Sequence, residues 1–241
     1  MQLSSFGGDS AYLLLVVGAL FVHASYQLSV SVLTYMSSHK LSEKASVRQL
    51  LKLGFSYSTG VVVGTTLLLV TLASLLFYLK NGGGGHTQVA VAVVVACTPL
   101  IGLLTMTIYY RRGAGTQLWL PRPVASYLLS RAKETRLGVE AAMLGAATVL
   151  GELPFLAGPL LIASSVVVNQ PPTAWPVWAV TYSVLASLPL IVMTLYLTSG
   201  HSIARVQKWR EENKTFLQWT SGITLLVLTL YLTVLQLGEM I

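Results

Sequence analysis

One carboxylate stands in the middle of a long apolar run: Glu152, in the stretch L-G-E-L-P-F-L-A-G-P-L-L-I-A from Leu150 to Ala163. An ionisable group at such depth is costly to bury and marks a functional candidate. Its chemistry would be proton exchange, one proton taken up and released per cycle. Pro154 and Pro159 each remove a backbone donor where lipid offers no replacement, and Gly158 precedes the second proline. The segment is therefore predicted to bend and to face protein or water.

A second set of polar residues lies earlier in the chain. His23, Gln27, Ser31 and Thr34 follow spacings of four, four and three, which place them on one helical face. Ser56, Tyr57, Ser58 and Thr59 open the next apolar segment, and Thr181, Tyr182 and Ser183 form a similar group near its later counterpart. These residues are predicted to line a path, with a polar cavity in the first half of the chain and its image in the second. The plainer alternative is that they join helices as hydrogen-bonding glue, together with Gly60 and Gly64.

The elements that would position these groups are membrane spans. Of the 241 residues 54% are hydrophobic and 10% charged, and the mean hydropathy is +0.70, far from the composition of a soluble domain. Six segments are long enough to cross a bilayer, near Ala11–Met36, Phe55–Leu79, Gln88–Tyr110, Leu137–Val168, Ala174–Thr198 and Phe216–Leu237. Met1 to Ser10 lacks a basic region and a small-residue cleavage site, so the first segment is expected to be kept as a span.

The net charge of +7 sits in the short loops after spans one, three and five, from Lys40 to Lys52, Arg111 to Arg136 and Arg205 to Lys214. Charge so placed sets orientation instead of binding nucleic acid: the basic loops face the cytoplasm and both termini face out. Trp175 and Trp178 would mark the outer interface, and Tyr109, Tyr110 and Trp219 the inner one.

The halves can be compared. Gly18 to Leu33 lies over Gly145 to Leu160, and Phe55-Ser-Tyr-Ser58 over Val180-Thr-Tyr-Ser183, which relates Tyr57 to Tyr182 and puts Gly64 opposite Pro189. Three spans per repeat is an odd number, so the repeats would be inverted. The fold expected is all-α: a first three-span repeat over residues 1–110, a basic cytoplasmic linker with an interfacial helix over 111–136, and a second, inverted repeat over 137–241.

A single cysteine, Cys97, excludes an internal disulfide and a CxxC pair. Of four histidines, His39, His86 and His201 fall in loops, so neither a metal set nor any other cofactor is expected. There is no G-x-S-x-G and no H-E-x-x-H, and an enzyme is not predicted.

Six spans in two inverted repeats, the G-P-L-L of Gly158–Leu161 in span four, and the T-S-G-I of Thr220–Ile223 after a basic loop together resemble the lysine-exporter superfamily. That resemblance implies export of a small solute. It does not extend to the thiol carriers within the group, since Tyr26–Ser31 and Leu153–Gly158 stand where those have a cysteine in each repeat. The doubly acidic motifs of the cation-exporting branches are missing as well.

The expectation is a multi-pass secondary transporter of the cytoplasmic membrane, exporting a small organic or amphipathic solute. Glu152 would couple or gate, and Pro154, Gly158, Pro159, His23, Gln27, Ser31, Tyr57 and Tyr182 would lie along the path. Partners would be that solute and membrane lipids, with room for a homo-oligomer. The alternatives are a non-transporting membrane subunit or lipid-binding scaffold, a transmembrane redox carrier, or a membrane-embedded enzyme using His23 and Glu152 as acid and base.

Overall fold

The computed structural model describes residues 3–26, 28–42, 46–81, 86–109, 121–199 and 203–240. Nine α-helices account for nearly all of them: α1 (Leu3–Ser25), α2 (Leu28–Ser42), α3 (Val47–Asn81), α4 (His86–Ile108), α5 (Arg122–Glu134), α6 (Gly138–Val167), α7 (Trp175–Ala186), α8 (Leu188–Thr198) and α9 (Ile203–Met240). Six helical stretches are long and apolar enough to cross a membrane. The chain is a multi-pass, all-α membrane protein. Backbone polar groups have no water to bond within hydrocarbon, and a helix satisfies them internally.

The break in span one falls where the sequence does not announce it. Pro154 and Pro159 are predicted to bend span four, and α6 continues as one helix through both. The helix survives because it is the central element, packed against α1, α3, α4 and α9, with Gly158 and Pro159 both buried. Span one, expected to be one piece, is instead two: α1 ends at Ser25 and α2 begins at Leu28, although Ser25 and Tyr26 are not helix breakers. Gln27 lies outside the described residues. Span five divides at Ser187, one residue before Leu188-Pro189, whereas α3 passes Gly64 unbroken.

Small residues bring α3 and α6 together. A Cβ on Gly60 would stand 1.8 Å from the carbonyl oxygen of Ala142, and one on Gly145 would stand 2.1 Å from that of Tyr57. At Gly64 the nearest atom, Ala146 Cα, is 3.3 Å away. Here the plainer glue role holds for Gly60 and Gly64, because close approach of backbones is how helices gain contact in lipid. The pair α4 and α9 is also close, with Gly102 facing Gly222.

The linker helix expected between Arg111 and Arg136 is present as α5 and starts after Pro121. Its buried residues, Leu128 and Ala132, pack toward α2 and α6, while Tyr127 is exposed. Residues 110–120, Tyr110 among them, lie outside the described residues. At the other end of the bundle Trp175 is buried edge-on to Phe77, 5.4 Å between centroids, and its indole N–H donates to the Gln170 carbonyl.

Glu140 lies four residues after Arg136, a spacing at which an ion pair is routine. Its carboxylate instead accepts the backbone N–H groups of Arg136 at 2.8 Å and Leu137 at 3.0 Å, closing the start of α6.

Orientation is open to direct measurement. In a Cys97→Ser background, an impermeant thiol reagent applied to intact cells is expected to label Asn81→Cys at the end of α3 and to spare Gln207→Cys, both exposed positions. The reverse pattern overturns the assignment of sides.

Candidate functional site

Glu152 sits near the middle of α6 and is 3% exposed. One of its carboxylate oxygens, Oε1, accepts two hydrogen bonds: the Tyr109 hydroxyl at 2.6 Å and the backbone N–H of Leu28 at 3.0 Å. The N–H of Ser29 bonds the carboxylate as well. Leu28 is the first residue of α2. The first N–H groups of any helix lack partners in their own chain segment, and within a bilayer no water supplies them. The α6 carboxylate therefore caps the broken half of span one from across the bundle.

This placement gives the break a cause. A capping side chain normally comes from the residue preceding the helix; here it comes from 124 residues away. A negative charge also complements the positive end of the α2 dipole. Tyr26, at the break, packs its ring 5.1 Å from Tyr109 and 6.4 Å from Phe155, and its hydroxyl lies 3.2 Å from Thr105 Oγ1. Tyr109 in turn stands edge-on to Phe155 at 4.8 Å. The three rings of Tyr26, Tyr109 and Phe155 thus pack together, and Tyr109 carries that cluster to the carboxylate.

Polar contacts continue down α2. The Tyr57 hydroxyl donates to the Ser29 carbonyl at 3.0 Å and lies 3.0 Å from Thr148 Oγ1, while the Ser29 hydroxyl bonds the same threonine at 3.3 Å. Arg210 of α9, 3% exposed, donates from Nη2 to Ser31 Oγ. Its guanidinium adds an attractive field at Glu152. The first turn of α2 is therefore held by α6 through Glu152 and Thr148, by α3 through Tyr57, and by α9 through Arg210.

A separate pair lies on the other side of the break. His23 Nδ1 is 3.3 Å from the Tyr182 hydroxyl, which donates to the Ala19 carbonyl at 3.4 Å. His23 thus finds its partner on span five and not at Glu152. The expected site residues divide accordingly: Glu152, Tyr57 and Ser31 surround the start of α2, and His23 joins Tyr182. Gly158 and Pro159 serve packing, with Ile101 and Leu225 each 3.1 Å from a Cβ placed on Gly158. Pro154 is exposed, away from the carboxylate. Of the hydroxyls predicted to line a cavity, Thr34, Ser58 and Ser183 are buried, Thr34 bonding the Val30 carbonyl and Ser58 that of Gly54 within their own helices, while Thr59 and Thr181 are exposed.

Two participants were misplaced by sequence reasoning. Tyr109 was expected at the inner interface and is 2% exposed; Arg210 was counted as a loop charge and is buried. A signal for Arg210 existed, since Val206, Arg210, Leu217 and Ser221 recur at helical spacing and continue the apolar face of α9. Tyr109 carried none, for it follows the last turn of α4.

Among the described residues no group of three His, Cys, Asp or Glu side chains could hold a metal ion. No family model, no curated protein and no solved structure matches the chain.

Proposed function

We propose that this protein is a secondary transporter, an exporter of a small organic or amphipathic solute related in plan to the lysine-exporter superfamily, and that Glu152 couples the cycle to proton movement. One observation carries the reading: a buried carboxylate in mid-span holds the free start of a broken transmembrane helix. Ionised, Glu152 accepts from Leu28, Ser29 and Tyr109. Once protonated it has one less acceptor site and a proton to donate, so its hold on α2 weakens and α2 pivots about the break that follows Ser25. Broken helices whose half-helix ends meet a site near the midplane are a recurring transporter plan.

One pair of contacts fits the inverted repeat, whereas the α3–α4 contact has no comparable counterpart between α7 or α8 and α9 among the described residues. Exchange of the repeats turns the α1–α9 pair into the α6–α4 pair, and both are packed. Tyr57, of span two, bonds Thr148 on span four, and Tyr182, of span five, bonds His23 and the Ala19 carbonyl on span one, contacts that the exchange interconverts. Gly18 and Gly145 are less alike, the first facing Leu228 and the second Tyr57. If the tyrosines are related, Tyr57→Phe and Tyr182→Phe bias the carrier to opposite sides. Labelling of a cysteine on the cytoplasmic side and of one on the outer side is then expected to change reciprocally in the two variants; parallel changes refute the relation.

The test of function uses purified protein in liposomes with an imposed pH gradient and a panel of amino acids and amphipathic cations. Wild type is expected to move a member of the panel in a gradient-dependent manner. Glu152→Gln keeps an acceptor oxygen but releases no proton, and is expected to be folded and to lose gradient-driven flux. A folded Gln variant with normal flux sinks the coupling role. A wild type that moves no solute and no protons returns the chain to the class of non-transporting membrane subunits.

A further inference from the structure

A groove of about 570 Å³ opens between α5 and the first half of α6, away from Glu152. Its wall is the stripe Met143, Ala147 and Leu150 on the outer face of α6, where Met143 is 69% and Leu150 61% exposed. Its rim is charged: Arg131 and Glu134 of α5, 3.5 Å apart, and Glu140 at the start of α6. The Arg131 guanidinium also stands 5.9 Å from the ring centroid of Tyr127, another lining residue.

The depth of the groove matches one leaflet. Ten residues of helix separate Glu140 from Leu150, a rise of about 15 Å, and the hydrocarbon core is about 30 Å thick. The apolar wall therefore runs from headgroup level to the midplane, the length of one acyl chain. This is not a path for a soluble molecule, since its open side is the lipid.

The rim selects among lipids. One guanidinium accommodates a phosphate, while two carboxylates oppose a second negative charge and favour a cation. A primary ammonium, next to the phosphate and with three N–H donors, meets both needs. A trimethylammonium carries the charge without the donors, and a glycerol headgroup carries neither. We propose that this groove is a binding site for a phosphatidylethanolamine-type phospholipid from the leaflet on the α5 side, with its phosphate on Arg131, its ammonium between Glu134 and Glu140, and one acyl chain along Met143, Ala147 and Leu150. The inference requires only that the chain spans a membrane, and stands or falls independently of transport.

The experiment is native mass spectrometry of the delipidated protein titrated with phosphatidylethanolamine, phosphatidylcholine and phosphatidylglycerol of matched chains. One phosphatidylethanolamine is expected to bind about ten-fold more tightly than either other lipid, a difference of about 1.4 kcal/mol. Ala147→Trp fills the wall and is expected to abolish the bound lipid. Arg131→Ala and Glu134→Gln, at exposed positions that leave folding intact, are expected to erase most of the preference, so the site remains testable if the tryptophan variant misfolds. Equal or tighter binding of phosphatidylglycerol overturns the proposal, as does retention of the preference in both rim variants, and so does the absence of any bound lipid.

Discussion

Gly60→Ala is expected to prevent α3 from seating on α6 and to leave little folded protein after extraction. The added Cβ meets the Ala142 carbonyl oxygen at 1.8 Å, the carbonyl carbon at 2.6 Å and the Cα at 2.7 Å, all of them backbone. A side-chain clash can relax by a rotamer change, but this one requires the helix axes to separate. Overpacking of a core costs about 1–3 kcal/mol when side chains give way, and here the whole contact must open, so the loss belongs at or above the top of that range. Gly145→Ala, 2.1 Å from the Tyr57 carbonyl oxygen, is expected to behave alike. Gly64→Ala is the control, because a 3.3 Å approach to the Ala146 Cα asks for a shift of a few tenths of an ångström. Thermal unfolding in detergent, followed by loss of the monodisperse peak, ranks the three. A Gly60→Ala protein as stable as Gly64→Ala would refute the backbone approach.

The consequence reaches the site, since α3 and α6 carry Tyr57, Thr148 and Glu152 on the same packed surface. Their contact fixes where the carboxylate points before any chemistry is considered. A variant that loosens this contact is expected to lose function through structure, which is why a conservative change at Glu152 itself is the sharper probe of coupling.

The spans and the exceptional carboxylate were legible in the sequence because both are local: apolar length is counted along the chain, and a charge in an apolar run stands out without reference to any partner. The break in span one was not legible for the opposite reason. Ser25 and Tyr26 could continue a helix, and the interruption depends on an acceptor that only the fold brings to Leu28. The same logic inverts the prolines. Pro154 and Pro159 lack an N–H and loosen a helix locally, but α6 packs against α3, α4 and α1 above all and remains one helix through both. Arg210 illustrates a third case: its charge argued for a loop, whereas its spacing from Val206 and Ser221 argued for a buried face, and the spacing prevailed.

The most informative stability series is at Glu152. Glu152→Gln retains an oxygen that accepts from Leu28, and its unfolding temperature is expected to stay close to that of wild type. Glu152→Leu removes the acceptor and leaves the backbone donors in place. Replacing both partners of a buried polar contact by apolar groups can be nearly neutral, but an N–H of the peptide chain is not removed by changing a side chain across the bundle, so the penalty of an unsatisfied buried donor applies, about 1–3 kcal/mol. Leucine should therefore destabilise the protein even though the surroundings are apolar. Hydrogen exchange localises the effect: amides at Leu28 and Ser29 are expected to be protected in wild type and in the Gln variant and to exchange faster in the Leu variant, with the interior of α6 unchanged. Tyr109→Phe removes the second donor to Oε1 without touching the cap, and is expected to leave exchange at Leu28 unaltered. If Leu28 and Ser29 stay protected in Glu152→Leu, the start of α2 is held by another group and the carboxylate does not control the break.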